Sequence, residues 1–173
     1  MTRRALLLPG RAYPVSMPLL AANGAVLARH GWAVRPVSWA APEPVPTDGA
    51  WVGQQAAAAM GEDPGPWLFA AKSLGTRVTQ SPVRAAAYVL LTPLTADPAA
   101  TSAIAALVRD GRPVLLVGGT ADPFWSSAAS AATGADVVEV EGADHAMLGL
   151  HDQVATAVDS FLTTLSRDST VSR

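Results

Sequence analysis

Short apolar runs alternate with alanine-rich stretches of helical spacing along nearly the whole chain. The apolar runs are Ala5–Leu8, Ala33–Ser38, Trp67–Ala71, Ala86–Leu91, Pro113–Val117 and Asp136–Val140. Most lack polar alternation, the pattern of strands whose sheet is covered on both faces. Helices are predicted between and after them at Pro18–Arg29, Gly49–Met60, Leu74–Gln80, Pro98–Arg109, Pro123–Ala132 and Gln153–Leu165. In the last, Val154, Ala157, Val158, Phe161 and Leu165 share one face. Gly31 and Gly111 are placed to stop helices, while Asp97-Pro98 and Asp122-Pro123 read as a cap followed by a first-turn proline. The rhythm predicts an α/β chain: one three-layer domain with a mostly parallel six-stranded sheet and helices on both faces.

The domain is expected over 1–166, with a polar, flexible tail at 167–173. Residues 40–48 carry Pro42, Pro44 and Pro46 and are expected as a loop. No repeat or low-complexity linker divides the 173 residues.

Composition narrows the function. Half the residues are hydrophobic and 15% are charged, enough apolar surface for a real core. The net charge is -2 and no basic run occurs, so a nucleic-acid partner is not expected. Cysteine is absent, which removes disulfides, thiolate metal sites and a thiol nucleophile. The three histidines are dispersed and show no HExxH-type spacing, so neither a metal nor another cofactor is expected. The run Ala5–Leu8 stops at Pro9-Gly10, short of an export signal, and no window reaches the length of a membrane span. Those observations point to a cytoplasmic protein without membrane contact.

In open α/β sheets ligands bind beyond the carboxyl ends of the strands, so the residues just after each strand carry the interest. Ala71-Lys72-Ser73-Leu74-Gly75 follows the third strand. A serine on a sharp strand-to-helix turn needs small residues two places to either side, and the turn presents its hydroxyl to substrate. Asp122 follows the fifth strand in Gly118-Gly119-Thr120-Ala121-Asp122-Pro123, and His145 follows the sixth in Glu141-Gly142-Ala143-Asp144-His145. Read singly, Ser73 and Asp122 are helix caps and His145 is a surface residue. Read together, they are a nucleophile, an orienting carboxylate and a base. A hydroxyl attacks only when a group of near-neutral pKa takes its proton, and imidazole needs an acid to hold its tautomer.

The segments LLLPGRAY, AAKSLGT, GGTADPF and EGADHAM resemble the oxyanion, nucleophile, acid and histidine motifs of the α/β-hydrolase superfamily, in its small, lidless bacterial members. The resemblance runs from Ala5 to about Leu165 and carries no substrate specificity. It implies that Ser73 is the nucleophile, His145 the general base and acid, and Asp122 the orienting carboxylate. It also implies an oxyanion hole made by the N–H of Leu74 with that of Arg11 or Ala12. Ala71 stands where glycine is usual, and Pro9-Gly10 replaces a frequent His-Gly.

Asp97, after the fourth strand, is the reserve acid. Asp144 is too close to His145 in sequence to orient it, and His30 and His151 read as structural or exposed. Lys72 either tunes the nucleophile or meets an anionic group, or else packs its stem with the head in solvent; the last is the simpler reading. Tyr13, Trp39 and Trp125 fall near strand ends and are placed to line an aromatic pocket, Tyr13 and Trp125 foremost, whereas Trp32, Trp51 and Trp67 read as packing. Only Thr92–Asp97 separates the fourth strand from the next helix, so the pocket is expected to be open, shallow and wet. The expected reaction is hydrolysis of a small-molecule carboxylic ester or thioester through an acyl-serine. Acyl transfer, cyclisation or C–C bond chemistry on the same fold, and ligand binding without catalysis, are the alternatives. The oligomeric state is not legible.

Overall fold

A computed structural model describes residues 2–63 and 65–171, with side chains to Arg167. Six strands form one sheet: β1 (Arg4–Leu8), β2 (Ala33–Pro36), β3 (Trp67–Lys72), β4 (Ala87–Leu91), β5 (Val114–Gly119) and β6 (Asp136–Val140). Their order is β2-β1-β3-β4-β5-β6 and every pairing is parallel. The helices are α1 (Pro18–Arg29), α2 (Ala50–Met60), α3 (Pro98–Arg109), α4 (Ser127–Ala132) and α5 (His151–Val171), with a 3₁₀ helix at Ser73–Gln80. The expected three-layer α/β architecture is therefore present, with the sheet parallel throughout.

Strand periodicity divides the core in two. Ala5, Leu7, Leu68, Ala70, Val89, Leu91 and Val117 pack with Leu20 and Leu27 of α1 and Val154 and Val158 of α5. The alternate residues Leu6, Leu8, Phe69, Ala71, Tyr88, Leu90 and Leu116 pack with Val52 of α2, Val78 of the 3₁₀ helix and Ile104 of α3. Burial of both faces explains why these strands show no polar alternation. At roughly 25 cal/mol per Å², such doubly covered strands supply most of the folding drive.

Several boundaries differ from the sequence reading. β2 ends at Pro36 and not at Ser38; it is the sheet's edge strand, where a proline is tolerated, and its last bond to β1 runs from the Val37 N–H to the Leu7 carbonyl at 2.9 Å. The 74–80 stretch winds as a 3₁₀ helix. The helix expected from Pro123 begins at Ser127, where Ser126 is the cap and accepts from the Ala129 N–H at 3.2 Å. Residues 122–125 form instead a tight turn, with the Trp125 N–H donating to the Asp122 carbonyl at 3.1 Å. Asp97 does cap α3, accepting from the Ala99 N–H at 2.9 Å. The backbone of α5 continues to Val171, and residues 172–173 of the expected tail lie outside the described residues. Among the described residues no helix is long and apolar enough to cross a membrane.

Chain order reverses between β1 and β3: β1 leads outward to β2, while β3 begins the run to β6. A crevice opens at such a switch point, beyond the strands' carboxyl ends. Residues 9–13 leave β1 there and Ser73 leaves β3.

Candidate active site

Ser73 sits on a strained turn. Its φ is +50°, a left-handed value that costs a non-glycine residue roughly 1–2 kcal/mol. The turn also brings the chain against β1: a Cβ on Gly75 would lie 2.7 Å from the Pro9 carbonyl oxygen. Only glycine fits that approach, while Ala71, two residues before the serine, is fully buried. The Ser73 hydroxyl caps no helix. It lies 2.8 Å from His145 Nε2.

The other side of the imidazole meets Asp122. His145 Nδ1 is 2.7 Å from Asp122 Oδ2, and the carboxylate side chain has no solvent exposure. Its second oxygen, Oδ1, accepts from the Phe124 N–H at 2.8 Å. Both carboxylate oxygens are thus occupied, which fixes the side chain's orientation. A neutral imidazole with its proton on Nδ1 satisfies both contacts, donating to Asp122 and leaving Nε2 to accept from the Ser73 hydroxyl. The three residue types picked from the chain therefore converge, although 72 positions separate Ser73 from His145.

Arg11 and Ala12 border a cavity of about 530 Å³ shared with Gly10, Ser73, Pro123 and His145. The Gly10 N–H is used by the Tyr13 carbonyl at 3.0 Å, whereas the Arg11 and Ala12 N–H groups make no hydrogen bond among the described residues. Leu74 lines an adjoining cavity of about 270 Å³ together with Ser73, Val45, Pro46, Leu94 and Phe124. The Arg11 guanidinium is exposed and pairs with Glu43.

The aromatic expectations divide. Tyr13 borders the larger cavity, with its hydroxyl accepting from the Leu19 N–H at 3.0 Å. Trp125 does not line either cavity at Ser73. Its ring lies under β5, where a Cβ on Gly118 would come within 2.1 Å of it, and its Nε1 donates to Glu139. The turn at Asp122 rotates the neighbouring Phe124 outward in its place. Phe124 is half exposed, borders both cavities, and meets the His145 ring edge-to-face at 4.9 Å. A residue two after the acid was visible in the sequence; which of the two aromatics faced out was not. Trp39 donates to the Gly10 carbonyl at 3.2 Å and packs on Trp51.

The reserve acid stands elsewhere. Asp97 is held by its cap role and by Arg77 Nη1 at 3.1 Å. Asp144 points back at its own loop, its Oδ1 accepting from the N–H groups of Ala146 and Met147 at 3.0 Å each. His30 lies 3.0 Å from Asp159, remote in chain and partner from Ser73. His151 is at the first turn of α5, 3.8 Å from Asp152.

Lys72 departs from its simpler reading, because its head is not in solvent. The residue is 2% exposed; Nζ donates to Thr92 Oγ1 at 3.1 Å and to the His145 carbonyl at 3.0 Å, and lies 4.6 Å from the Tyr13 ring centre. Burial pushes the ammonium down to about 8, against the opposing pull of Asp122 and Asp144. The expectation of a shallow, wet pocket needs correction too. No cap is inserted after β4, yet Val45, Pro46 and Thr47 of the proline-rich loop wall the smaller cavity, and its lining is mainly apolar. Three prolines hold that loop stiff without a helix. Among the described residues no group of three or more His, Cys, Asp or Glu is placed to hold a metal ion.

No family model and no curated protein matches the sequence of this chain. Solved structures do match its shape. Est1E of Butyrivibrio proteoclasticus is 15% identical, with a TM-score of 0.68 over 94% of this chain and 87% of that one. A cold-adapted esterase from an Arctic intertidal metagenomic library is 16% identical, with a TM-score of 0.66 over 94% and 82%. The alpha/beta hydrolase domain-containing protein 10 of mouse is 14% identical, with a TM-score of 0.65 over 94% and 90%. The chain has the α/β-hydrolase fold.

Proposed function

We propose that the chain is a serine hydrolase that cleaves small carboxylic esters or thioesters through an acyl-serine intermediate. The observation that carries this reading is the relay from Ser73 Oγ to His145 Nε2 at 2.8 Å and from His145 Nδ1 to buried Asp122 at 2.7 Å. Ser73 Oγ attacks the acyl carbon and its proton passes to Nε2. Asp122 stabilises the imidazolium so formed. Negative charge develops on the carbonyl oxygen, and the N–H of Leu74 with that of Arg11 or Ala12 receives it, each donor supplying on the order of 3 kcal/mol. Nε2 then protonates the departing alcohol or thiol. A water molecule repeats the sequence on the acyl-serine, giving the free acid and restoring Ser73.

The two cavities that meet at Ser73 divide the substrate. The apolar one behind Leu74, Val45 and Leu94 takes the acyl group; the one beside Gly10, Tyr13 and His145 takes the leaving group. Arg77, at the acyl end, is neutralised by Asp97, which favours an uncharged acyl chain. The neighbour Est1E has been solved with ferulic acid bound, and a planar aromatic acyl group of that kind suits walls of Phe124, Leu74 and Pro46.

A fluorophosphonate probe is expected to label the wild type at Ser73, read by peptide mass spectrometry, and to leave Ser73→Ala unlabelled. His145→Ala is expected to abolish turnover of short p-nitrophenyl esters; turnover at the wild-type rate removes His145 from the mechanism. Acyl length supplies a second test. Each methylene that enters the apolar cavity is expected to raise kcat/KM about 4-fold, from roughly 0.8 kcal/mol per buried CH₂, until the cavity is filled. Ala96 borders that cavity, so Ala96→Trp is expected to erase the gain for longer chains while acetyl esters turn over as before. An unchanged length series in that variant moves the acyl group to the other cavity.

A further inference from the structure

Among the described residues Lys72 is the one cationic side chain buried at this site, and the proposed chemistry gives it no task. A buried ammonium is expensive to keep, and removing its hydration costs several kcal/mol before any partner is found. Here the partners come from three different loops. Lys72 ends β3, next to the proposed nucleophile. Thr92, which accepts from Nζ at 3.1 Å, leaves β4 with a φ of +44° and is fully buried. The His145 carbonyl, accepting at 3.0 Å, belongs to the loop after β6. The Tyr13 ring, 4.6 Å from Nζ, belongs to the loop after β1 that carries Arg11 and Ala12.

We infer that Lys72 is a positioning residue: its ammonium ties the backbone of His145 and the Tyr13 loop to the base of Ser73, setting base and oxyanion donors against the nucleophile. The inference rests on the serine-hydrolase reading. In the loop that brings the imidazole to Ser73, Asp144 holds the N–H groups of Ala146 and Met147, and the His145 carbonyl is held by Lys72. The Asp122 bond orients the ring about Nδ1, but among the described residues only the Lys72 bond grips the main chain of His145 itself. Met147, two residues on, has a φ of +51°. A loop holding a strained residue keeps its shape only when its surroundings over-determine it. The charge also matters. An ammonium attracts the Tyr13 ring face and both loop oxygens more strongly than a neutral amine does. Asp122 and Asp144 are the charged groups that act on it, and Thr92 and Tyr13 are its other neighbours.

The test uses the whole chain, with Lys72→Met as the main variant and the pair Thr92→Ala and Thr92→Ser as controls. Readouts are kcat, KM, fluorophosphonate labelling rate and Tm. Lys72→Met is expected to lose at least 30-fold in kcat and in labelling rate, with KM within 3-fold and Tm equal or higher, because a buried charge is gone. Thr92→Ala removes one anchor and is expected to lose 3- to 10-fold, while Thr92→Ser keeps the hydroxyl and the rate. Wild-type kcat is expected to fall as pH rises through about 8, where the ammonium loses its proton, and the remaining activity of Lys72→Met is expected to be flat there. A wild type that labels at Ser73 beside a Lys72→Met that labels and turns over as fast overturns the inference alone. So does a loss that follows Tm, or an equal effect of the two Thr92 variants. If Lys72→Met does not fold, the Thr92 pair decides: full kcat in Thr92→Ala overturns it. A wild type that no serine-directed probe labels overturns the parent reading instead.

Discussion

Ser73→Ala is expected to lower kcat for a short p-nitrophenyl ester by about 10⁴- to 10⁶-fold, or roughly 5–8 kcal/mol of transition-state stabilisation. Among the described residues no other hydroxyl meets His145 Nε2, which lies 2.8 Å from Ser73 Oγ. Oxyanion donors and substrate binding remain, so a residual rate above water is expected, and KM should change little. Stability separates the chemistry from the fold at the same position. Ser73 has a φ of +50°, and alanine there carries the same steric penalty as serine. Ser73→Gly removes it. The glycine variant is therefore expected to be equally inactive and yet about 1 kcal/mol more stable than the alanine variant in urea unfolding. A Ser73→Ala protein that keeps more than one per cent of wild-type kcat would remove the serine from the mechanism.

Asp122→Asn is the second large effect, with an expected loss of about 10⁴-fold in kcat. The substitution is nearly isosteric, and an amide oxygen placed at Oδ1 still accepts from the Phe124 N–H, as Asp122 does at 2.8 Å. The tight turn should survive and the variant should fold. What changes is the atom facing His145 Nδ1, now an NH₂ donor where a carboxylate oxygen stood. The imidazole answers by placing its proton on Nε2, and Nε2 can then no longer accept from Ser73. The base is lost without moving. Steady-state kinetics beside a crystal structure or near-UV spectrum of the variant checks this. A variant that folds, keeps the turn and retains wild-type kcat would assign Asp122 to structure alone.

The sequence was most legible where one local rule acts without competition. α1 and α3 span Pro18–Arg29 and Pro98–Arg109 as read, each opening on a first-turn proline, and β6 spans Asp136–Val140 as read. Asp97-Pro98 and Asp122-Pro123 have the same local grammar, yet only the first caps a helix. In the second the carboxylate is claimed by His145, 23 residues away, and the helix waits for Ser126. Local propensity lost there to a bond that no local window contains. Trp125 was expected at the pocket and is not there, for a related reason. Adjacent aromatics on a turn point to opposite sides, and the missing Cβ of Gly118 makes the room that draws Trp125 inward. The proline-rich loop was recognisable as a loop but not as a pocket wall, since prolines specify stiffness and say nothing of where the stiff segment lies.

The layered architecture and the three residue types set just past β3, β5 and β6 could be read from the chain, because hydrophobic periodicity and strand-end chemistry are properties of short stretches. Long-range packing brings Ser73, His145 and Asp122 within hydrogen-bond reach, turns Phe124 and not Trp125 toward the cavities, and buries the head of Lys72 among three loops. Parallel strands set those groups side by side by pairing segments far apart in sequence, and the resulting distances depend on sheet order and on which face each turn presents.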